Sequence, residues 1–142
     1  MESKTPSVYT TLVLVTDQFE CERIIKAGRV IADLSKTSYA VLSVMHTGAR
    51  TNPAALEHLF SVAKEYDAEM TITFSDNPKS TIMHFIRDNK VINAITGIPG
   101  GEDSILVKMW KKLLNVTFFT VGRNGELHEV IDREYHPVNI NI

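Results

Sequence analysis

One stretch of this chain combines glycines and a hydroxyl at a spacing that could hold a phosphate. Residues 94–110 read AITGIPGGEDSILVKMW, in which Gly97, Gly100 and Gly101 precede a helical pattern that starts near Ser104. Free backbone amides in a glycine-rich loop and at a helix N-terminus together form a common phosphate-binding arrangement. One interpretation is therefore a loop that contacts a phosphate.

A plain turn explains the same stretch. Gly97 would end a strand, and the Pro99-Gly100 pair is typical of a type II turn, whose third position requires a positive φ. Glu102 and Asp103 follow, where the phosphate would lie. Carboxylates in the first turn of a helix satisfy its free amides and its dipole. Both interpretations stay open.

No motif for catalysis or metal binding accompanies this loop. Cys21 is the single cysteine, so the chain forms no internal disulfide, and we expect the thiol to act as a small hydrophobic side chain. The five histidines lack metal-binding spacing. A hydrolytic triad of Ser104, His46 and Asp17 lacks the G-x-S-x-G elbow. We expect a binding or regulatory protein rather than an enzyme, with weak ATPase activity left open.

Composition favours an ordinary cytoplasmic domain. Of 142 residues, 44% are hydrophobic and 23% charged, and the formal net charge is −2. A net charge close to zero, without clustered basic residues, argues against a nucleic-acid partner or an anionic membrane surface. The longest apolar runs are about six residues, against the roughly 20 that span a bilayer, and residues 1–10 lack a signal-peptide core. We expect one domain over residues 1–142, with residues 1–7 frayed.

Periodicity predicts strands that alternate with helices. The predicted strands are residues 9–16, 39–45, 70–75, 91–96 and 116–121. The predicted helices are residues 20–35, one from Pro53 with Asn52 as its N-cap, a short one capped by Ser80, and one from Asp103 or Ser104 to Leu114. GRNG and the alternating ELHEVI predict a terminal hairpin strand at residues 126–131, within a hairpin and tail of residues 122–142.

Inward positions of these patterns predict the core. They are Leu12, Leu14, Ile24, Ile31, Val41, Leu56, Phe60, Ile72, Ile82, Phe85, Ile92, Ala94, Leu106, Trp110 and Val121. The predicted fifth strand, VTFFTV, is too apolar to form an open sheet edge. We expect it to be covered by the hairpin strand, by a second subunit, or by both.

Two segments resemble the universal stress protein superfamily. LVLVTDQFECERIIKAGRVIADL is similar to the family's first strand and helix, and HFIRDNKVINAITG is similar to the segment before its nucleotide loop. Residues 22–32 parallel the S-E-R-L-I-R-A-x-R-x-L-A pattern of the stress-protein-like segment in potassium-sensor histidine kinases. The resemblance covers residues 8–121, so the terminal hairpin lies outside it.

This resemblance implies an α/β fold with a five-stranded parallel sheet in the order 3-2-1-4-5 and helices on both faces, to which the C-terminal hairpin strand is added. It also implies a homodimer. In such sheets ligands bind at the carboxyl ends of the strands, where the strand order reverses. The loops at that point are residues 16–20 and 97–103.

The resemblance also implies an adenine nucleotide, ATP or AMP, as ligand. Nucleotide-binding members carry G-x-x-G followed downstream by G-S or G-T; here Gly97 and Gly100 match the first half, and no Gly-Ser pair follows. By this resemblance Asp17 would meet an adenine or ribose as the family's first-loop acid does, but aligning residues 22 and 23 places Thr16 opposite that acid. The alternative is that Asp17 is a helix-capping or turn residue. The candidate ligand-binding residues are Thr16, Asp17, Gly97, Gly100, Gly101 and Ser104.

The sequence therefore leads to two main hypotheses. The first is a stress-protein-like regulatory or signalling module that binds an adenine nucleotide weakly. The second is a dimeric interaction scaffold that binds no nucleotide because its site is degenerate. A signalling protein is a further expected partner under both, and a small hydrolase is a distant third hypothesis. The lysines Lys108, Lys111 and Lys112 are weak phosphate candidates, since a solvated helix face explains them.

Overall fold

In the described part of the chain, the central sheet has seven strands. The structure, a computed structural model, describes residues 8–99 and 104–139. The strands are β1 (Thr10–Leu14), β2 (Ser38–His46), β3 (Glu69–Ser75), β4 (Val91–Gly97), β5 (Thr117–Val121), β6 (Leu127–Ile131) and β7 (Glu134–Pro137). The helices are α1 (Glu22–Ser35), preceded by a 3₁₀ turn (Phe19–Cys21), then α2 (Pro53–Glu65), α3 (Pro78–Asp88) and α4 (Ile105–Lys112).

The strand order is β3-β2-β1-β4-β5-β6-β7. Strands β1 to β5 are parallel in the predicted order 3-2-1-4-5, and β6 and β7 continue the sheet in antiparallel fashion. The predicted sheet of five parallel strands with one added hairpin strand is therefore corrected, over the described residues, to a mixed sheet of seven strands. The missed strand, β7, follows a two-residue turn in which Asp132 and Arg133 both have positive φ, 51° and 66°. Asn-Gly or Asp-Gly is the usual marker of such a turn, and Asp-Arg gives no such marker.

The apolar strand β5 is not an edge. It pairs with β6 from Phe118 opposite Val130 to Val121 opposite Leu127. The predicted turn between them forms, with the Gly122 N–H donating to the Glu126 carbonyl oxygen at 2.9 Å. The chain itself thus covers β5, as expected for an apolar strand that would otherwise invite association.

Two apolar layers lie on opposite faces of the sheet. Val13 points into the layer under α1 and α2, together with Ile25 and Leu59. Leu12 and Leu14 point to the other face, under α3 and α4, together with Ile82 and Met109. Strand β1 contributes side chains to both layers, because successive side chains of a strand point to opposite faces of the sheet. The prediction of helices on both faces is confirmed.

Two predicted core residues are not buried. Phe60 on α2 is 50% exposed and Ile72 on β3 is 37% exposed. β3 is the outer strand on this side of the sheet, and among the described residues no further strand encloses the side chains of β3 and α2 that lie at this edge. Four other predicted positions are half-buried, namely Phe85, Ile92, Leu106 and Trp110, and the remaining nine are buried.

The helices α2, α3 and α4 each start at a residue whose side chain caps the helix. The Asn52 Oδ1 accepts the Ala55 N–H at 3.2 Å at the start of α2, which confirms the predicted cap. α3 begins earlier than predicted, because Asn77 rather than Ser80 is its cap, accepting the Ser80 N–H at 3.2 Å. Ser104 caps α4. Within the described residues no helix is long and apolar enough to span a bilayer. Residues 1–7, predicted to fray, lie outside the described residues.

Candidate functional site

A cleft opens at the carboxyl ends of β1 and β4. The chain leaves β1 toward α1 on one face of the sheet and leaves β4 toward α4 on the other. Because α1 and α4 lie on opposite faces of the sheet, a gap is left between the carboxyl ends of β1 and β4, which is where ligands bind in sheets of this kind. The cleft has a volume of about 1020 Å³.

Apolar and polar groups both line this cleft. Its apolar lining consists of Leu14, Val15, Cys21, Ile24, Leu42, Val44, Pro78, Ile82, Ile98, Ile105 and Leu106. Its other lining residues are Thr16, Gln18, Glu20, Arg23, Thr96, Gly97, Ser104, Arg123 and Glu126. An apolar wall with a few polar groups is the usual composition of a small-molecule site.

Three of the predicted site residues meet in this cleft: Thr16, Gly97 and Ser104. The Thr16 Oγ1 lies 3.6 Å from the Cys21 Sγ. The Ser104 Oγ accepts the Leu106 N–H at 3.2 Å, so part of its hydrogen-bonding capacity already caps α4. Gly97 is open toward the cleft, since a Cβ there would find no atom closer than 3.5 Å. These residues bring a hydroxyl-bearing loop and a bare backbone together.

Asp17 is turned away from the cleft lining. Its Oδ2 accepts the Asn52 N–H at 2.6 Å, at the start of α2. This contact fits the capping interpretation of Asp17 from the sequence. Of the candidates for a hydrolytic triad, Ser104 lines the cleft, whereas Asp17 and His46 do not. The His46 Nδ1 instead lies 2.7 Å from the carbonyl oxygen of the next residue.

The remaining predicted residues, Gly100 and Gly101, lie outside the described residues, as do Glu102 and Asp103. They connect Pro99 to Ser104, both of which the structure describes.

Arg23 is a cleft residue that sequence analysis did not identify. Its Nε donates to the Gly122 carbonyl oxygen at 2.8 Å, and its Nη1 donates to the Glu20 carbonyl oxygen at 2.6 Å. Its Nη2 lies 3.4 Å from the Val121 carbonyl oxygen. The guanidinium thus joins the start of α1 to the end of β5. The sequence alone indicates only that Arg23 belongs to a polar helix face, because its Gly122 and Val121 partners are backbone atoms 99 and 98 residues away.

Charges of both signs surround the opening. Arg23 and Arg123 face the cleft together with Glu20 and Glu126, so these four residues carry no net charge. Arg123 and Glu126 belong to the β5–β6 turn, which reaches the cleft because β5 pairs with β4. The described part of the cleft is therefore polar at its rim without being strongly basic.

A lysine cluster lies between α3 and α4. The pKa of Lys79 is lowered by a hydrogen bond with Lys112, then by partial desolvation and by the positive charges of Lys112 and Lys108. Pro78, next to Lys79 in sequence, lines the cleft. Two of the three lysines considered from the sequence, Lys108 and Lys112, are thus part of a local concentration of positive charge. Among the described residues no group of His, Cys, Asp and Glu could hold a metal ion.

No protein-family model matches the chain, and no curated protein matches it significantly.

Comparison of structures does find similar proteins. A universal stress protein from Archaeoglobus fulgidus is 18% identical, with a TM-score of 0.56 over 73% of this chain and 87% of that chain. The universal stress protein UspA from Lactobacillus plantarum is 15% identical, with a TM-score of 0.50 over 75% of this chain and 93% of that chain. Identities this low establish a shared architecture without a shared ligand. The described chain has the α/β fold of the universal stress proteins.

Proposed function

We propose that this protein is a stress-protein-like regulatory module that binds a small ligand, an adenine nucleotide, weakly in the cleft between β1 and β4. The cleft at the reversal of strand order carries the proposal. Its volume of about 1020 Å³ is slightly above the roughly 300–1,000 Å³ of typical small-molecule sites.

The lining suits the parts of a nucleotide. Leu14 and Ile24 offer an apolar surface to a purine ring, and the Thr16 hydroxyl can bond a ring nitrogen or a ribose oxygen. Gly97 permits close approach of a ligand to the backbone of β4. Arg123 supplies positive charge at the opening for phosphate oxygens.

Three features make the binding weak. The Arg23 guanidinium is engaged with backbone carbonyl groups, so it is not free to form a bidentate bond with a phosphate. Glu20 and Glu126 repel phosphate from the rim. The chain also lacks the downstream Gly-Ser or Gly-Thr pair that its resemblance to nucleotide-binding stress proteins leads one to expect.

The same features favour a second candidate, a dimeric interaction scaffold whose site binds no nucleotide. In that case a signalling protein is the functional partner, in keeping with the resemblance of residues 22–32 to the stress-protein-like segment of potassium-sensor histidine kinases. Both candidates act by binding rather than turnover. In both we propose a cytoplasmic homodimer, and weak ATPase activity is an additional outcome to measure.

Thermal shift in the presence of ATP, ADP, AMP and cyclic nucleotides, with and without Mg²⁺, tests the first candidate. A ligand at ten times its Kd stabilises the folded state by about 1.4 kcal/mol if it binds only that state. Gly97→Leu should abolish the shift by filling the cleft, and Gly97→Ala, whose methyl group meets only ordinary contacts, should retain it. A shift that survives Gly97→Leu places binding elsewhere and overturns the proposed site.

Neutralising the two carboxylates of the glycine-rich loop, Glu102 and Asp103, distinguishes between the two candidate functions. Two unit charges 4 Å apart in water interact by about 1 kcal/mol, so Glu102 and Asp103 would together oppose a phosphate bound at that distance from each by roughly 2 kcal/mol. We expect Glu102→Gln with Asp103→Asn to bind ATP at least about tenfold more tightly by calorimetry, since tenfold corresponds to about 1.4 kcal/mol. Unchanged or weaker ATP binding in a folded variant would identify GIPGGED as a turn and favour the scaffold.

A further inference from the structure

We propose that the open edge of β3 pairs with β3 of a second copy of this chain, antiparallel, about a two-fold axis through Ile72. β3 is the first strand in the sheet order, and among the described strands it pairs with β2 alone. The other side of this seven-residue strand is therefore available to another strand. This proposal gives the expected homodimer a specific interface and does not depend on ligand binding.

The backbone of β3 shows which residues would form the new hydrogen bonds. The Ser75 carbonyl oxygen accepts the Thr47 N–H at 3.1 Å, so Ser75 faces β2. Along a strand, the N–H and C=O groups of successive residues point to alternate sides. Met70, Ile72 and Phe74 consequently direct their backbone groups to the open side. Placing Ile72 opposite Ile72 of the second copy makes these residues hydrogen-bonded pairs of an antiparallel ladder.

This edge lacks the usual protection against pairing. Between Met70 and Ser75 there is no charge, proline or glycine, and Phe74 is 52% exposed. β7 at the opposite edge has only four residues and contains Glu134 and Pro137. Short length, charge and proline are the features that keep edge strands apart. Since β6 covers β5, β3 is the described edge most suited to association.

The apolar side chains of β3 match under this two-fold pairing. Met70 of one copy lies opposite Phe74 of the other, and Ile72 lies opposite its own equivalent. All three side chains are on the same face of the sheet, because the three residues occupy every second position of the strand. Cross-strand pairs of apolar side chains stabilise a sheet, and these would extend the layer that Met70 already contacts.

The charge pattern selects a second copy in antiparallel orientation. On the polar face, Glu69 lies opposite Ser75 and Thr71 lies opposite Thr73, so no like charges meet. A parallel pairing in register would place Glu69 opposite Glu69, and like charges directly opposite are unfavourable. The strand is thus self-complementary in one orientation only.

Light scattering after size exclusion tests the interface. We expect wild-type protein to reach twice the chain mass of 15.9 kDa, and Ile72→Lys to return it to the mass of one chain. Ile131→Lys, at a position with a similar exposure of 42%, is the matched control and should remain dimeric. A wild-type monomer at the highest attainable concentration, or a dimer that Ile72→Lys leaves intact, would overturn the proposal.

Cysteine cross-linking tests the register with changes that are easier to accommodate. Opposed hydrogen-bonded residues have Cα atoms about 5.5 Å apart, which is within disulfide range. Ile72→Cys should therefore cross-link to itself under mild oxidation. Met70→Cys and Phe74→Cys should each fail alone and cross-link when mixed. The native Cys21 is buried. Absence of the Ile72→Cys cross-link, or self-cross-linking of Met70→Cys, would contradict the two-fold axis at Ile72.

Discussion

Replacing Gly28 by alanine should destabilise this protein, although alanine is the better helix former. Gly28 lies in the middle of α1, where a Cβ would meet the Val13 Cγ2, the Tyr39 Oη and the Tyr39 Cε1, the last at 2.9 Å. Val13 is fully buried, and the Tyr39 hydroxyl donates to the Ile25 carbonyl oxygen, so neither neighbour can move freely. The added methyl group must therefore displace α1 or the strands beneath it.

The expected magnitude is a balance of two terms. Alanine gains about 1 kcal/mol of helix propensity over glycine. Overpacking a core costs about 1–3 kcal/mol, and loss of the Tyr39 hydrogen bond adds about 1 kcal/mol. The free energy of unfolding should fall by about 1–3 kcal/mol, measured by urea denaturation with circular dichroism. Gly97→Ala is the matched control, because its methyl group has space, and should change stability by less than about 0.5 kcal/mol. A Gly28→Ala variant as stable as wild type would refute the close approach of α1 to the sheet.

Two further predictions concern α1 and α2. Asn52→Ala removes the side chain that accepts the Ala55 N–H and should lower the free energy of unfolding, measured by urea denaturation, by about 1 kcal/mol. Asn52→Asp retains a capping oxygen and should lower it less. Equal losses of stability in the two variants would contradict the cap. The pKa of Glu22 is lowered from 4.5, mainly by its hydrogen bond with His58, so its stabilising contribution is present above pH 4.5 and is lost as the pH falls through the lowered pKa. As the pH falls through that acidic range, Glu22→Gln should lose less stability than the wild type, and Glu57→Gln, at an exposed position, is the control. A Glu22→Gln variant with the wild-type pH dependence of stability would contradict the contribution of the Glu22–His58 pair.

The sequence predicts the helices and strands of the parallel part of the fold well because these elements carry local patterns, whereas their order in the sheet came from the family resemblance. The strand β1 and the helix α1 have distinct periods of apolar residues, and Asn52 with Pro53 marks the start of α2. The errors occur where burial depends on distant neighbours. Ile72 has the pattern of a core residue, but its exposure is set by the place of β3 at the end of the sheet. That place depends on the order in which strands pair.

The candidate site is less predictable because it is assembled from distant segments. Thr16 and Gly97 could be placed from the ends of two predicted strands, since carboxyl ends of parallel strands share one edge. Asp17 could not be assigned between the cleft and a cap, because Asn52, its partner, is 35 residues away. Arg23 shows the same difficulty, with its Gly122 partner 99 residues away.

The two arginines of the cleft differ in what they can offer an anionic ligand. Arg23 would have to release the Gly122 and Glu20 carbonyl groups, and a hydrogen bond to a charged group contributes about 1.5–3 kcal/mol. Its release would also loosen the link between α1 and the end of β5. Arg123 is exposed on the β5–β6 turn. Phosphate recognition in this cleft would therefore depend on Arg123, a residue outside the segment that resembles the stress proteins in sequence. The terminal hairpin thus both covers β5 and supplies the more available charge of the proposed site.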